Sequence, residues 1–88
     1  MNVIDCPEII EVCPLEDFNL LVKFRNGVNK RLNVYPYLKR FSIFGELENR
    51  NIFEDVKVDS SGWGIVWNKN IDLSACEAWE YGEKIENE

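Results

Sequence analysis

The feature that most constrains this chain is an alternation of apolar and polar residues on both sides of the dipeptide Asn26-Gly27. Apolar residues at every second position place their side chains on one face of a strand. An Asn-Gly pair between two such runs is a strong signal for a β-hairpin. The sequence therefore predicts two antiparallel strands with a shared buried face, made of Phe18, Leu20, Val22, Phe24, Val28, Leu32 and Val34.

The length of the loop decides the register of this hairpin. A two-residue loop would set Phe24 opposite Asn29 and bring a polar residue onto the buried face. A three-residue loop ending at Gly27 sets Phe24 opposite Val28, and the apolar residues further along then also face each other. Such a loop needs a positive φ at its third residue, which glycine adopts readily. We therefore predict the three-residue loop.

A further strand is expected on the N-terminal side of the hairpin, over residues 8–13. Pro7 and Pro14 bound it, and proline is tolerated at strand ends and edges. The three strands would form an antiparallel meander. Lys30 is the one charged residue on its apolar face, and its stem can pack there while the ammonium group reaches an edge.

The second half predicts short helices, another hairpin and a last helix. The helical turns are expected near 36–41 and 49–54. A four-residue loop would join strands 56–58 and 63–67 and set Val58 opposite Trp63. The capping-box pattern from Ser74 to Glu77 predicts a helix that runs through Trp79 and ends at Gly82.

The fold class that follows is α+β, with a small antiparallel sheet (a three-stranded meander plus a second hairpin), a short helical connection and a C-terminal helix. A small closed barrel is the alternative architecture. We predict one domain over residues 1–82 and a polar tail over residues 83–88.

Composition excludes several classes of function. The chain has 88 residues, no histidine and a net charge of −6. Without histidine it lacks the commonest general base and zinc ligand. Its acidity disfavours nucleic acid, which needs a cationic face. No apolar run approaches a membrane span, and the N-terminus has neither the basic region nor the apolar core of a secretory signal, so a cytoplasmic protein is expected.

The three cysteines, Cys6, Cys13 and Cys76, are an odd number, which favours free thiols in a reducing compartment. On one extended strand Cys6 and Cys13 would face opposite ways, so we expect no disulfide or metal between them. A turn at Pro7 would relax that restriction.

Candidate site residues are few. Asp72 precedes the last helix and would serve as a general base beside Ser74, or simply cap the helix. Most of the aromatic residues must build the core of so small a chain, Trp63 and Trp67 above all. Any aromatic residue that reaches the surface, such as Trp79, would be an anchor for a protein partner.

The first strand suggests a second contact surface. If it lies at a sheet edge, its free backbone groups between Ile9 and Val12 would accept a strand from another copy or from a partner. Ile9 and Ile10 point to opposite faces, so one of them should be less buried. Glu8 and Glu11 oppose this pairing, because charges at an edge block it.

With these segments in place, the chain resembles a bacterial family known as domain of unknown function 2442. The resemblance covers about residues 8–81 and rests on the order and spacing of five stretches: Leu20–Gly27, Leu32–Leu38, Phe44–Leu47 with Ile52–Phe53, Gly64–Trp67, and Ile71–Ser74. The family usually has Asp at the position of Asn33, so no acid acts there in this chain. It also usually has Pro-Asn-Gly-like residues in place of residues 68–70.

The resemblance implies a compact α+β fold with no established activity. Some members are suspected of an antitoxin-like role in two-gene cassettes. The acidic charge, the small size and the lack of catalytic groups predict a non-catalytic protein-binding module that needs no cofactor or metal, in its finer form the neutralising partner of a neighbouring gene product. Its candidate contact residues are Ile10, Trp67, Asp72 and Trp79. A small enzyme that works without histidine, through Asp72 and Ser74, is the alternative.

Overall fold

A computed structural model describes residues 6–85, which form two antiparallel sheets and three α-helices. In chain order the elements are β1 (Ile9–Pro14), β2 (Asn19–Phe24), β3 (Asn29–Asn33), α1 (Tyr35–Arg40), a 3-10 helix (Ser42–Glu48), α2 (Arg50–Phe53), β4 (Lys57–Val58), β5 (Gly64–Asn68), β6 (Ile71–Ser74), α3 (Ala75–Tyr81) and β7 (Glu83–Ile85). The first sheet has the order β1-β2-β3-β7 and the second the order β4-β5-β6. The α+β class is confirmed, with two sheets rather than one closed barrel.

The central hairpin has the predicted register. Leu20 faces Leu32, and the N–H of Phe24 donates to the carbonyl of Val28 at 3.0 Å. Gly27 has φ of 92°, the left-handed conformation that the third loop position requires. Residues of β2 alternate between buried and half-buried, as a strand with one face on the core must.

The core lies where this buried face meets the inner face of the second sheet. Ile65 and Ile71 from the second sheet are fully buried together with Leu20 and Val22 from the first. Phe53 of α2 joins the same cluster. Each fully buried aliphatic or aromatic side chain contributes roughly 1.5–3 kcal/mol of transfer free energy, so this cluster dominates the stability of the domain.

Both predicted helical turns are present, as α1 and α2, and a 3-10 helix fills the interval between them. Phe44 and Leu47 bury the inner side of that 3-10 helix. Phe41, Phe44 and Leu47 recur at every third position, which fits short helical turns, but Gly45 interrupts this pattern and no separate helix was predicted between the two turns.

The predicted register of the second hairpin is wrong by two residues. Val58 pairs with Ile65, whereas Trp63 leaves the sheet and is 51% exposed. The cause is the turn that Asp59 organises: its carboxylate accepts the N–H of Ser61, and its carbonyl accepts the N–H of Gly62 at 2.8 Å. These local bonds lengthen the loop, and a shift of two keeps the apolar residues on the same face.

Two short strands were not expected from the sequence. β6 follows the turn at residues 68–70 and adds a third strand to the second sheet. β7 pairs with β3, with Arg31 opposite Glu83. The prediction of a free polar tail from residue 83 is therefore wrong for residues 83–85, and residues 86–88 lie outside the described range.

The last helix begins and ends where predicted. The hydroxyl of Ser74 accepts the N–H of Glu77 at 3.0 Å and so caps α3. Gly82 follows the last helical residue with φ of −73° and ψ of 153°, which is extended backbone. The glycine is needed for space: a Cβ there would lie 2.5 Å from the carbonyl oxygen of Ala78 and 3.0 Å from the Cβ of Lys30.

The expectation of three free thiols is wrong. Cys6 and Cys76 form a disulfide, with their Cα atoms 5.2 Å apart, and Cys13 is free. The bond ties the segment before β1 to the first turn of α3. The two cysteines are 70 positions apart in the sequence, and only the packing of α3 beside the N-terminal segment brings them together.

We predict that Gly82→Ala lowers the free energy of unfolding by about 1–3 kcal/mol, because the added methyl group meets backbone that must shift. Urea denaturation followed by tryptophan fluorescence measures this. Gly45→Ala is the matched control: a Cβ there has no atom within 4 Å, so its stability should be unchanged or slightly higher. Equal stability of the two variants would contradict the prediction.

Candidate functional site

A cleft of about 520 Å³ opens between α1 and α3. Its volume falls within the range of roughly 300–1,000 Å³ that is typical of ligand pockets. Strand β3 supplies the floor, and the two helices supply the walls. The lining residues are Leu32, Asn33, Pro36, Tyr37, Arg40, Phe41, Glu77 and Tyr81.

Interactions between residues close in sequence determine where α1 begins. The side chain of Asn33 accepts the N–H of Tyr35 at 3.1 Å, an Asx turn that starts the helix. Pro36 lies in the first helical turn, where proline is tolerated. Tyr37 and Phe41 are four residues apart and so project from one side of the chain, with their ring centres 6.4 Å apart and nearly parallel.

The α3 wall is joined to α1 by one side-chain hydrogen bond. Glu77 and Tyr81 lie four residues apart on the helix, on the side that faces α1. The hydroxyl of Tyr37 donates to Oε2 of Glu77 at 2.8 Å. Burial raises the pKa of the Tyr37 phenol, and the hydrogen bond to Glu77 and the negative charge of that carboxylate raise it further.

Two lining groups remain available for a ligand. Tyr81 is 66% exposed, and its ring fills no site in the core. Within residues 6–85, Arg40 has no carboxylate at ion-pair distance, and its guanidinium lies 5.4 Å from the ring centre of Phe41. The cleft therefore combines aromatic walls with one carboxylate and one guanidinium, as binding sites commonly do.

Of the two tryptophans expected as contact residues, Trp67 is buried and Trp79 is half-buried, whereas Trp63, which was expected in the core, is exposed. Trp67 is only 3% exposed, and its indole N–H donates to the carbonyl of Phe53 at 3.1 Å. Its burial confirms the expectation of a core residue and removes it from the surface contact set. Trp79 is half-buried and packs edge-on against Phe24, with ring centres 5.0 Å apart. The ammonium group of Lys30 lies 3.9 Å above its ring.

Asp72 lies within β6, opposite Val66, and is exposed. It shares a shallow hollow of about 280 Å³ with Asp59, Ser61 and Ser74. The hydroxyl of Ser74 is already occupied as the cap of α3. Hydrogen bonds from Ser61 lower the pKa of Asp59 and hold it in the turn. The groups beside Asp72 thus have structural roles.

Ile10 is 53% exposed on β1, whereas Ile9 is 2% exposed, as the alternation predicts. β1 is an edge strand of its sheet. Part of that edge is occupied, because the N–H of Ile9 donates to the carbonyl of Gly62 at 2.8 Å and Pro14 has no N–H. A bulge between Ile9 and Glu11 also interrupts the register. Strand addition stays a prediction, now confined to residues 10–13.

Comparison with known proteins identifies a family. The sequence profile of the family described as Protein of unknown function (DUF2442) matches residues 9–78. The chain belongs to the DUF2442 family. No curated protein and no solved structure gives a significant match.

Other elements of this DUF2442 protein give little indication of a further site. Within residues 6–85 no group of three or more acidic or cysteine side chains is arranged to hold a metal ion. Of the helices described, none has the length and apolar character that crossing a bilayer requires.

The cleft itself was not predicted from the sequence. The sequence does show a spacing of four residues between Tyr37 and Phe41, and between Glu77 and Tyr81. It indicates one face on each helix. It does not indicate that the two faces lie opposite each other, because that depends on how α1 and α3 pack on the sheet.

We predict that Tyr37 titrates well above the ordinary tyrosine pKa of 10.0. The folded state keeps its proton where the unfolded state loses it, so the resulting stability is complete below pH 10 and is lost as the pH rises through the folded pKa. Tyr37→Phe should therefore lose less stability than wild type between neutral pH and about pH 11. Ultraviolet absorbance of tyrosinate measures the pKa, and urea denaturation at several pH values measures the stability. Glu77→Gln should lower the pKa of Tyr37 in part, because it removes the negative charge beside the phenol. A wild-type titration in which every tyrosine ionises near pH 10 would contradict the prediction.

We predict that association through β1, where it occurs, is lost in Val12→Pro, because the N–H of Val12 faces away from β2 and proline removes this donor from the edge. Sedimentation velocity compares this variant with wild type, and Val12→Ala keeps the donor as a control. Unchanged sedimentation of a folded Val12→Pro variant beside an associating wild type would exclude this edge.

Proposed function

We propose that this chain is a non-catalytic protein-binding module and that the cleft between α1 and α3 is its binding surface. The single observation that carries the proposal is the exposure of Tyr81 and Phe41, at 66% and 45%, on either side of a cleft that holds the guanidinium of Arg40, which has no carboxylate at ion-pair distance among residues 6–85. Tyrosine and arginine are among the residues most enriched in the energetic centres of protein interfaces.

The energetics of the cleft agree with this role. Exposed apolar surface carries an unfavourable hydration free energy of about 25 cal/mol per Å², which a partner would relieve by covering the rings. The Tyr37–Glu77 hydrogen bond fixes the two walls relative to each other. A cleft held in this way loses little conformational entropy on binding, which favours affinity.

Some members of the family are suspected of belonging to two-gene cassettes, and this suspicion extends the proposal. In this form the partner is the product of a neighbouring gene, and the chain neutralises it in an antitoxin-like way. A cytoplasmic location belongs to the same proposal. The Cys6–Cys76 pair tests that location, since reducing compartments keep such pairs as thiols. Alkylation and mass measurement of the protein from its native cells would report their state.

An enzyme that works through Asp72 and Ser74 is the second candidate, since Asp72 shares a hollow with Asp59. A nucleophilic serine needs a base that accepts its proton. Within residues 6–85 no carboxylate accepts the hydroxyl proton of Ser74, and its oxygen accepts the N–H of Glu77 as the helix cap. The binding module is therefore the function we prefer.

We predict that Tyr81→Ala loses its partner on co-purification from native cells, whereas Trp63→Ala retains it. Both residues are exposed aromatics, at 66% and 51%, but Trp63 lies outside the cleft. Removing a central tyrosine should weaken binding by at least about 10-fold. Quantitative mass spectrometry of the bound fraction measures the loss. Equal retention by both variants, or no stoichiometric partner of the wild type, would contradict the proposal.

A further inference from the structure

We infer that the cleft receives an arginine or lysine side chain from the partner, with its charged group held between the ring of Tyr81 and the carboxylate of Glu77. The inference rests on the proposed function and specifies the chemistry of the partner. It follows from three features of the described residues, namely the carboxylate in the cleft, the aromatic walls and the position of Arg40, and from the net charge of the chain.

Glu77 gives the cleft a negative centre. Among the described residues that line the cleft it is the single carboxylate, and it is half-buried. Its Oε2 atom accepts the phenol of Tyr37. An ionised carboxylate has about four acceptor positions, so capacity remains for a second, charged donor. A bond to a charged donor is roughly twice as strong as one between neutral groups.

The aromatic walls favour a cation over a neutral group. The face of an aromatic ring carries partial negative charge and attracts ammonium and guanidinium groups within about 6 Å. This chain uses such contacts several times: Lys30 lies 3.9 Å from the ring centre of Trp79, and Lys39 lies 5.2 Å from that of Tyr35. Tyr81 has no such partner among residues 6–85, and its ring is two-thirds exposed beside Glu77.

Arg40 determines the direction of entry. It lies over Phe41 on the α1 side of the cleft, where its charge repels a second cation. A basic side chain must therefore enter from the Tyr81 side. The guanidinium of Arg40 is then free to donate to a backbone carbonyl or a carboxylate of the same partner segment.

The net charge supports the same partner. A chain with a net charge of −6 attracts basic surfaces over a distance and repels acidic ones. Among the described residues that line the cleft, Arg40 is the one cation that could attract an acidic ligand against this negative field. The observations therefore favour a basic segment over an acidic one.

The test is a selection from a random peptide library displayed on phage, with the wild-type protein as the target. We expect the selected peptides to share an arginine or lysine, and to bind at least about 10-fold more weakly to Glu77→Gln and to Tyr81→Ala. Trp63→Ala should bind them like wild type. Glutamine keeps an acceptor for Tyr37, so Glu77→Gln removes the charge with little change of shape.

A second measurement isolates the charge on the peptide. In the tightest peptide the basic residue is replaced by an uncharged residue of similar shape, citrulline for an arginine or norleucine for a lysine, and calorimetry should show at least about a 10-fold weaker affinity. Equal affinity would overturn the inference. Selected peptides that need Tyr81 but carry no basic residue would overturn it and leave the proposed function standing. A selection without any Tyr81-dependent peptide would overturn both.

Discussion

The burial of one face of the β2–β3 hairpin is the constraint on which the rest of the fold depends. Leu20, Val22 and Leu32 are at most 1% exposed, and everything else packs around the register that sets them side by side. The second sheet covers this face. In the first sheet, β1 pairs beside β2 and β7 pairs beside β3, so they extend the hairpin on either side. A slip of one residue would turn the apolar set toward water, so the fold has one stable register.

The same hairpin determines where the cleft lies. β3 ends at Asn33, and the side chain of that residue starts α1 immediately afterwards. α3 returns to β3 through Gly82 and β7, so both walls are attached to one strand. The Tyr37–Glu77 hydrogen bond then joins the two walls directly. Position 33 therefore has a local structural role in this chain, and its side chain also contributes to the floor of the cleft.

Sequence patterns predicted the elements that depend on near neighbours. The hairpin loop at Gly27, the cap at Ser74 and the end of α3 are each determined by a few adjacent residues, and all three are confirmed. Features that depend on distant packing were missed or wrong. β7 is polar and gains its pairing from β3, and the cleft exists only because α1 and α3 lie side by side. The exposure of Trp63 follows from the hydrogen bonds of Asp59, whose effect on loop length the apolar pattern does not contain.

The disulfide between Cys6 and Cys76 has a consequence for the integrity of the molecule. It encloses nearly the whole described chain in one covalent ring, from the segment before β1 to the first turn of α3. A protease that cuts once in an exposed loop inside this ring, such as the loop at Ser60, would produce two fragments that remain a single covalent species. The hydrogen bonds of the two sheets would also hold the fragments in place. A single cut of this kind would therefore leave both walls of the cleft in one molecule.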